Sequence, residues 1–155
     1  MNFPFQLELV KPGKKTCLYT VRMNDDNQTE FDKFLANEEV RANQEFGAIL
    51  VRIDEIADKY GAQERFFKLK ESSALDTVAA IWRGDIRLYC CKYSKVILIL
   101  GSGGIKKTRT YQEDDALNNS VKLMAEVSQA IDKKILVEKS LNICDNKFCG
   151  NTNFF

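Results

Sequence analysis

Apolar positions along the chain change rhythm three times. Residues 3–23 alternate loosely: Phe3, Phe5, Leu7 and Leu9 come first, then Leu18 and Val21, and Pro12-Gly13 divides them into two short extended pieces. Asn24-Asp25-Asp26-Asn27 is a polar turn that can start a helix. Thr29 to Asn43 carries Phe31, Phe34 and Leu35 on one side. From Gln44 to Tyr60, residues Phe46, Ile49, Leu50, Ile53, Ile56, Ala57 and Tyr60 follow i, i+3, i+4, i+7 spacing, and Gly61 stands where a helix C-terminus favours glycine. Two consecutive helices are predicted. From Phe66 the period shortens. Phe66–Lys70 reads as a short strand, followed by Val78–Arg83, Ile86–Lys92 and Val96–Gly101. Gly84-Asp85 and Tyr93-Ser94 are two-residue links, which make antiparallel hairpins. Val96–Leu100 is apolar at every position and predicts a central strand covered on both faces. Gly101-Ser102-Gly103-Gly104 reads as a turn. Thr110-Tyr111-Gln112-Glu113 matches a capping box and opens a helix carrying Ala116, Leu117, Val121, Met124, Val127 and Ile131. After Lys134 the pattern fades into an edge strand at Ile135–Val137 and a tail from Leu141 to Phe155. A single domain over 1–134 with a C-terminal extension over 135–155 is expected. No internal repeat is visible.

The hairpins set a register, because antiparallel partners keep a constant sum of residue numbers. Arg87 falls opposite Trp82 across the first turn. Across the second, Arg87 falls opposite Leu100 and Tyr89 opposite Leu98. Ile86, Leu88 and Cys90 then share an apolar face with Ile97 and Ile99, which packs on the helices, while Arg87, Tyr89 and Trp82 share the other face.

Composition narrows the chemistry. At 155 residues, with 45 % apolar and 29 % charged positions, the chain suits one domain able to bury its own core. Its longest apolar run is far short of the ~20 residues that span a bilayer, and no signal peptide is evident at Met1–Phe5. There is no histidine, which excludes Ser-His-Asp and Cys-His catalysis and any His-ligated metal. Five cysteines at irregular spacing read as reduced thiols of a cytoplasmic protein. Cys144 and Cys149 alone are a weak metal signature, and no metal or other cofactor is expected.

Charge is segregated beneath a net +1. From Arg65 to Tyr111 ten bases face only Glu71, Asp76 and Asp85, a surplus of seven positive charges; the rest of the chain carries a surplus of six negative ones. Such a stretch suggests an anionic partner, or a solvated surface that folding mixes with acidic helices. The predicted hairpins bring Arg83 and Arg87 to one rim of the sheet, and the chain leaving Leu100 adds Lys106, Lys107 and Arg109. Like charges gathered this way cost stability unless an anion joins them. Gly101–Thr108 approaches a phosphate-binding P-loop. It lacks glycine at Lys106, and neither a directly following helix nor a parallel strand–helix–strand unit surrounds it, so a nucleoside triphosphatase is excluded.

Three segments together, Phe67-Lys68-Leu69-Lys70, Ile81-Trp82-Arg83-Gly84-Asp85-Ile86-Arg87-Leu88-Tyr89 and Lys106-Lys107-Thr108 ahead of a C-terminal helix, resemble the RelE/HigB-like toxins of bacterial toxin–antitoxin systems, in particular their HigB-like and phage-derived branch. The match covers about residues 28–131. The resemblance implies a small α+β fold of the RelE/ParE kind. In it an antiparallel sheet of about four strands packs against two N-terminal helices and one C-terminal helix. It also implies a cytoplasmic, metal-independent, ribosome-dependent mRNA endonuclease neutralised by a cognate antitoxin, of helix-turn-helix type. Carried over, Arg87 with Lys106 and Lys107 would be catalytic, stabilising charge on the phosphoryl oxygens as a 2′-hydroxyl attacks the adjacent phosphate. Lys68, Lys70, Arg83 and Arg109 would hold the RNA or ribosomal RNA backbone, and Tyr89 or Tyr111 would stack on a base. The alternative is a non-catalytic protein-binding module of the same fold, gyrase-inhibitor-like or a decayed toxin; a third reading is a plain nucleic-acid-binding protein.

Overall fold

The computed structural model describes residues 4–24, 26–68, 78–93, 95–107 and 114–154. The N-terminal alternation becomes an antiparallel pair, β1 (Phe5–Pro12) and β2 (Cys17–Met23), with a bulge between Leu9 and Lys11. Thr29 then caps α1 (Glu30–Ala36) in a reciprocal capping box with Asp32. Asn37 ends α1 in extended geometry and its side chain accepts from the Val40 N–H, so the expected first helix is split and α2 (Glu38–Ala42) starts afresh. The strongly periodic stretch forms α3 (Phe46–Glu55) and a π-helical turn over Ile56–Tyr60, closed by Gly61 at φ 78°. Four strands follow: β3 (Phe67–Lys68), β4 (Val78–Arg83), β5 (Ile86–Tyr93) and β6 (Ile97–Ile105). Next come α4 (Asp115–Lys133), β7 (Leu141–Cys144), β8 (Lys147–Gly150) and β9 (Asn153–Phe154).

The α+β class stands, but the expected small antiparallel sheet of about four strands does not. The main sheet is mixed and has seven strands in the order β3-β4-β5-β6-β2-β1-β9. β6 is the cause. Ile97 to Leu100 are all fully buried, so both strand edges need partners, and β2 supplies the second edge in parallel register from Cys17–Ile97 to Thr20–Leu100. Helices cover both faces. On one, Phe34, Ile49, Ile53 and Ile56 of the N-terminal helical segment meet Leu18, Ile81, Leu88, Leu98 and Leu100. On the other, Leu117, Val121, Met124, Val127 and Ile131 of α4 meet Val78, Tyr89, Cys91, Ile97 and Ile99. Thr20 ties the layers together: its hydroxyl donates to the Leu100 carbonyl at 2.6 Å and accepts from the Phe31 N–H at 3.1 Å.

Three local expectations also need correction. Gly101–Gly104 is not a turn but the second half of β6. The chain stays extended there because β5 and α4 press close: a Cβ at Gly101 would lie 2.6 Å from Met124 Sδ and 2.9 Å from the Tyr89 carbonyl oxygen, and one at Gly103 would collide with the Arg87 carbonyl oxygen. The β5–β6 register slides accordingly. Tyr93 stays in its strand and pairs with Ile97, and a bulge beyond Cys90 sets Leu88 against Gly103 and Arg87 against Gly104 rather than Leu100. Ile135–Val137 belongs to a π-helical turn (Lys134–Glu138) prolonging α4, not to an edge strand.

The presumed tail is ordered. β7 and β8 form a hairpin, and β9 pairs with β1 through Phe5–Phe154 and Gln6–Asn153, so the extension completes the main sheet. Cys144 and Cys149 are bonded to each other across this hairpin, whereas Cys17, Cys90 and Cys91 are buried free thiols. No helix among the described residues is long and apolar enough to cross a membrane. The expected capping box at Thr110–Glu113 lies outside the described residues; Asp114 caps α4 by accepting from the Leu117 N–H at 3.1 Å.

A basic rim at one end of the sheet

The β4–β5 turn carries the candidate site. Trp82 pairs with Arg87 and Arg83 with Ile86, as the two-residue turn at Gly84-Asp85 requires. Gly84 adopts φ 54°, a left-handed conformation that glycine takes without a Cβ penalty. Glu45, at the start of α3, lies over this turn: its Cγ would be 3.2 Å from a Cβ at Gly84, and its carboxylate reaches the Arg83 guanidinium at 3.3 Å.

β6 ends beside the same turn. Ile86 pairs with Ile105, and the Lys106 N–H donates to the Asp85 carbonyl at 2.7 Å. The backbone therefore brings Arg83, Arg87, Lys106 and Lys107 from three segments to one end of the sheet. Lys107 forms an ion pair with Glu39 of α2; both side chains are largely exposed, 61 % and 62 %. The nearby carboxylate holds the Lys107 ammonium above the usual lysine range. Acidic helices thus reach into the basic rim at two points, Glu39 and Glu45.

Arg87 is held differently. It is 6 % exposed, and its Nη1 donates to the carbonyls of Gly84 and Ile86 at 2.7 and 3.1 Å. The guanidinium is folded back on its own turn, which fixes its position within the rim.

The remaining expected site residues scatter. Tyr89 is fully buried in the layer between the sheet and α4, so it is no base-stacking platform. Alternation along β5 does place it on the face opposite Leu88, but α4 closes that face. Lys68 stands at the far edge of the sheet, its Nζ 4.5 Å from the centre of the Trp82 ring. Lys70, Arg109 and Tyr111 lie outside the described residues. The buried thiols of Cys90 and Cys91 are pushed far above the ordinary cysteine value by burial and are poor nucleophiles. Among the described residues, no group of three or more His, Cys, Asp or Glu side chains is placed to hold a metal ion.

Sequence reasoning missed Arg52 of α3. Its Nη1 donates to the Trp82 carbonyl at 2.8 Å and its guanidinium lies 5.7 Å from the Trp82 ring. Helical spacing gave it no distinction from other polar positions of α3, and only the pairing of α3 with β4 reveals it. No family model matches the chain, and no curated protein or solved structure is significantly similar to it.

Proposed function

We propose that the protein acts on RNA at this rim, as the cytoplasmic toxin of a toxin–antitoxin pair that cuts mRNA on the ribosome without a metal. The sheet is larger and differently connected than that resemblance implies, so the reading stands on the rim and not on the fold. The observation that carries it is the register: Arg87 opposite Gly104, with the Lys106 N–H on the Asp85 carbonyl, sets one buried arginine and two lysines at the same end of three adjoining strands.

In this reading the anchored Arg87 guanidinium meets the charge that develops on the phosphoryl oxygens as the 2′-hydroxyl attacks. A charge already fixed in place needs no reorganisation at the moment of reaction. Lys106 and Lys107 add positive potential and assist proton transfer. Arg83 holds the neighbouring phosphate. The Lys107–Glu39 pair is solvent-exposed and the Arg83–Glu45 pair partly so, the kind an RNA phosphate displaces readily. The partners are mRNA, the ribosome and a helix-turn-helix antitoxin that masks the rim.

A second reading, a non-catalytic module that binds a protein partner, is favoured by one observation: Arg87 already donates to two carbonyls of its own turn. Induced expression separates the two. Wild-type chain is expected to arrest growth and leave cuts, mapped by primer extension, in a translated message but not an untranslated one. Arg87→Ala, and independently the Lys106→Ala/Lys107→Ala pair, should abolish the cuts while circular dichroism shows the same fold. An intact translated message with wild-type protein overturns the endonuclease reading.

A further inference from the structure

A second feature adjoins the rim along the β3–β4 edge of the sheet, where cations and aromatic rings alternate. The Arg65 guanidinium sits 5.0 Å from the Tyr60 ring and 4.4 Å from the Phe66 ring. Arg52 follows, 5.6 Å from Phe66 and 5.7 Å from Trp82, and Lys68 closes the series at 4.5 Å from Trp82. Tyr60 and Phe66 are themselves neighbours, with ring centres 5.9 Å apart. The contacts run in the order Tyr60, Arg65, Phe66, Arg52, Trp82, Lys68, with Phe66 itself buried in the core.

Two properties bear on what this strip can bind. Among the described residues, none of Arg52, Arg65 and Lys68 has a carboxylate within 4.0 Å, although Glu55 and Glu64 are near in sequence. Other bases do pair with acids, as at Lys11 with Asp58 and at Lys33 with Glu30. Arg52 also feels its like-charged neighbours: burial first, then Arg83 and Arg65, hold its guanidinium below the ordinary arginine value against the opposing pull of Glu55. Positive charge is gathered here on π faces instead of carboxylates.

We propose that this strip is a binding track for single-stranded RNA, with Arg65 and Lys68 on successive phosphates and the Tyr60 and Trp82 rings against bases. An acidic peptide would satisfy the charge but has no use for the rings. A duplex would satisfy the charge but keeps its bases stacked on each other. A single strand uses both, because every base has a π face and every linkage a phosphate. The track also leads somewhere: Trp82 is the direct cross-strand partner of Arg87, so a strand lying along it arrives at the rim. The proposal deepens the RNA reading above and rests on it for the identity of the polymer.

Trp82 is the chain's single tryptophan, which makes it its own probe. An end-labelled oligouridylate, added without ribosomes, should quench Trp82 emission in parallel with the rise in label anisotropy. Arg65→Gln/Lys68→Gln should weaken binding by about tenfold at moderate salt and lower the salt slope by about 1.4, the amount expected for two lost single-strand phosphate contacts. Tyr60→Leu should weaken binding about fivefold or more through lost stacking and leave the slope unchanged. Thermal melts confirm that each variant is folded. Binding that leaves Trp82 emission unaltered overturns the track, as does unchanged affinity in the Gln pair. Equal affinity for heparin, a polyanion without bases, also overturns it. The two readings fail separately: loss of message cutting in wild type removes the endonuclease and leaves this assay intact, while cutting by a Gln pair with wild-type affinity for oligouridylate removes only the track.

Discussion

Gly103 shows how much of this fold rests on single positions. It packs against the main chain of Arg87, the residue whose guanidinium the RNA reading needs in place. Adding a methyl group there presses β6 away from β5 at the bulge. Gly103→Ala is expected to cost about 1–3 kcal/mol, as overpacking in a tight core does, and to lower Tm by roughly 2–4 °C per kcal/mol. Gly47→Ala is the contrasting case. It lies in the first turn of α3 with nothing within 4 Å of the added carbon, so it should raise stability by roughly 0.4–1 kcal/mol by restricting the unfolded chain. Differential scanning calorimetry of the two variants checks both signs. The glycines were visible in the sequence, but their reason was not. A glycine needed for a turn and a glycine needed for close approach look alike until the neighbouring strand is placed. Tyr89 misled in the same way: strand alternation gave its face correctly, and only the docking of α4 showed that the face is buried.

At the scale of elements, local pattern and long-range contact divide cleanly. The β4–β5 hairpin was legible because a two-residue glycine turn fixes register by itself. The β5–β6 register was not, since its link spans three residues, 94–96, and a bulge adds one more step. The parallel union of β2 with β6 was hidden for another reason. Its partners lie about eighty residues apart, and no turn chemistry announces such a pairing. The C-terminal hairpin was missed because its strands have four residues each and bury only Leu141 and Phe148, leaving no run of alternation to see. It is nevertheless anchored. Phe148 is buried against Tyr19 and Tyr93, with ring centres 5.0 and 6.1 Å apart, and its N–H donates to the Tyr19 hydroxyl at 2.9 Å. Phe148→Ala should cost about 3 kcal/mol, the low end for a buried phenylalanine since a peripheral hairpin can partly close the gap. Chemical denaturation measures the loss. Limited proteolysis should show faster cutting between residues 134 and 141, and equal resistance would mean the hairpin does not depend on this anchor.

For the molecule as a whole, the question is what the segregated charge becomes on folding. Mixing with acidic helices is part of the answer, since Glu39 and Glu45 reach the rim from α2 and from the start of α3. Two accounts explain that contact. If the acids exist to hold the rim together, removing them loosens the fold and gains nothing for a ligand. If the rim exists to bind RNA, the acids are competitors for Lys107 and Arg83, and removing them frees those bases for phosphate. Both pairs are exposed enough to contribute little to stability, so the second account predicts that Glu39→Gln/Glu45→Gln leaves Tm within a degree or two of wild type. It also predicts several-fold tighter oligouridylate binding at low ionic strength, with a steeper fall of affinity as salt rises. Anisotropy titrations across a salt series read affinity and slope together. A double variant that melts earlier and binds no better would assign the bases to the architecture of the sheet end, and the rim would then be a structural seam between the helices and β6.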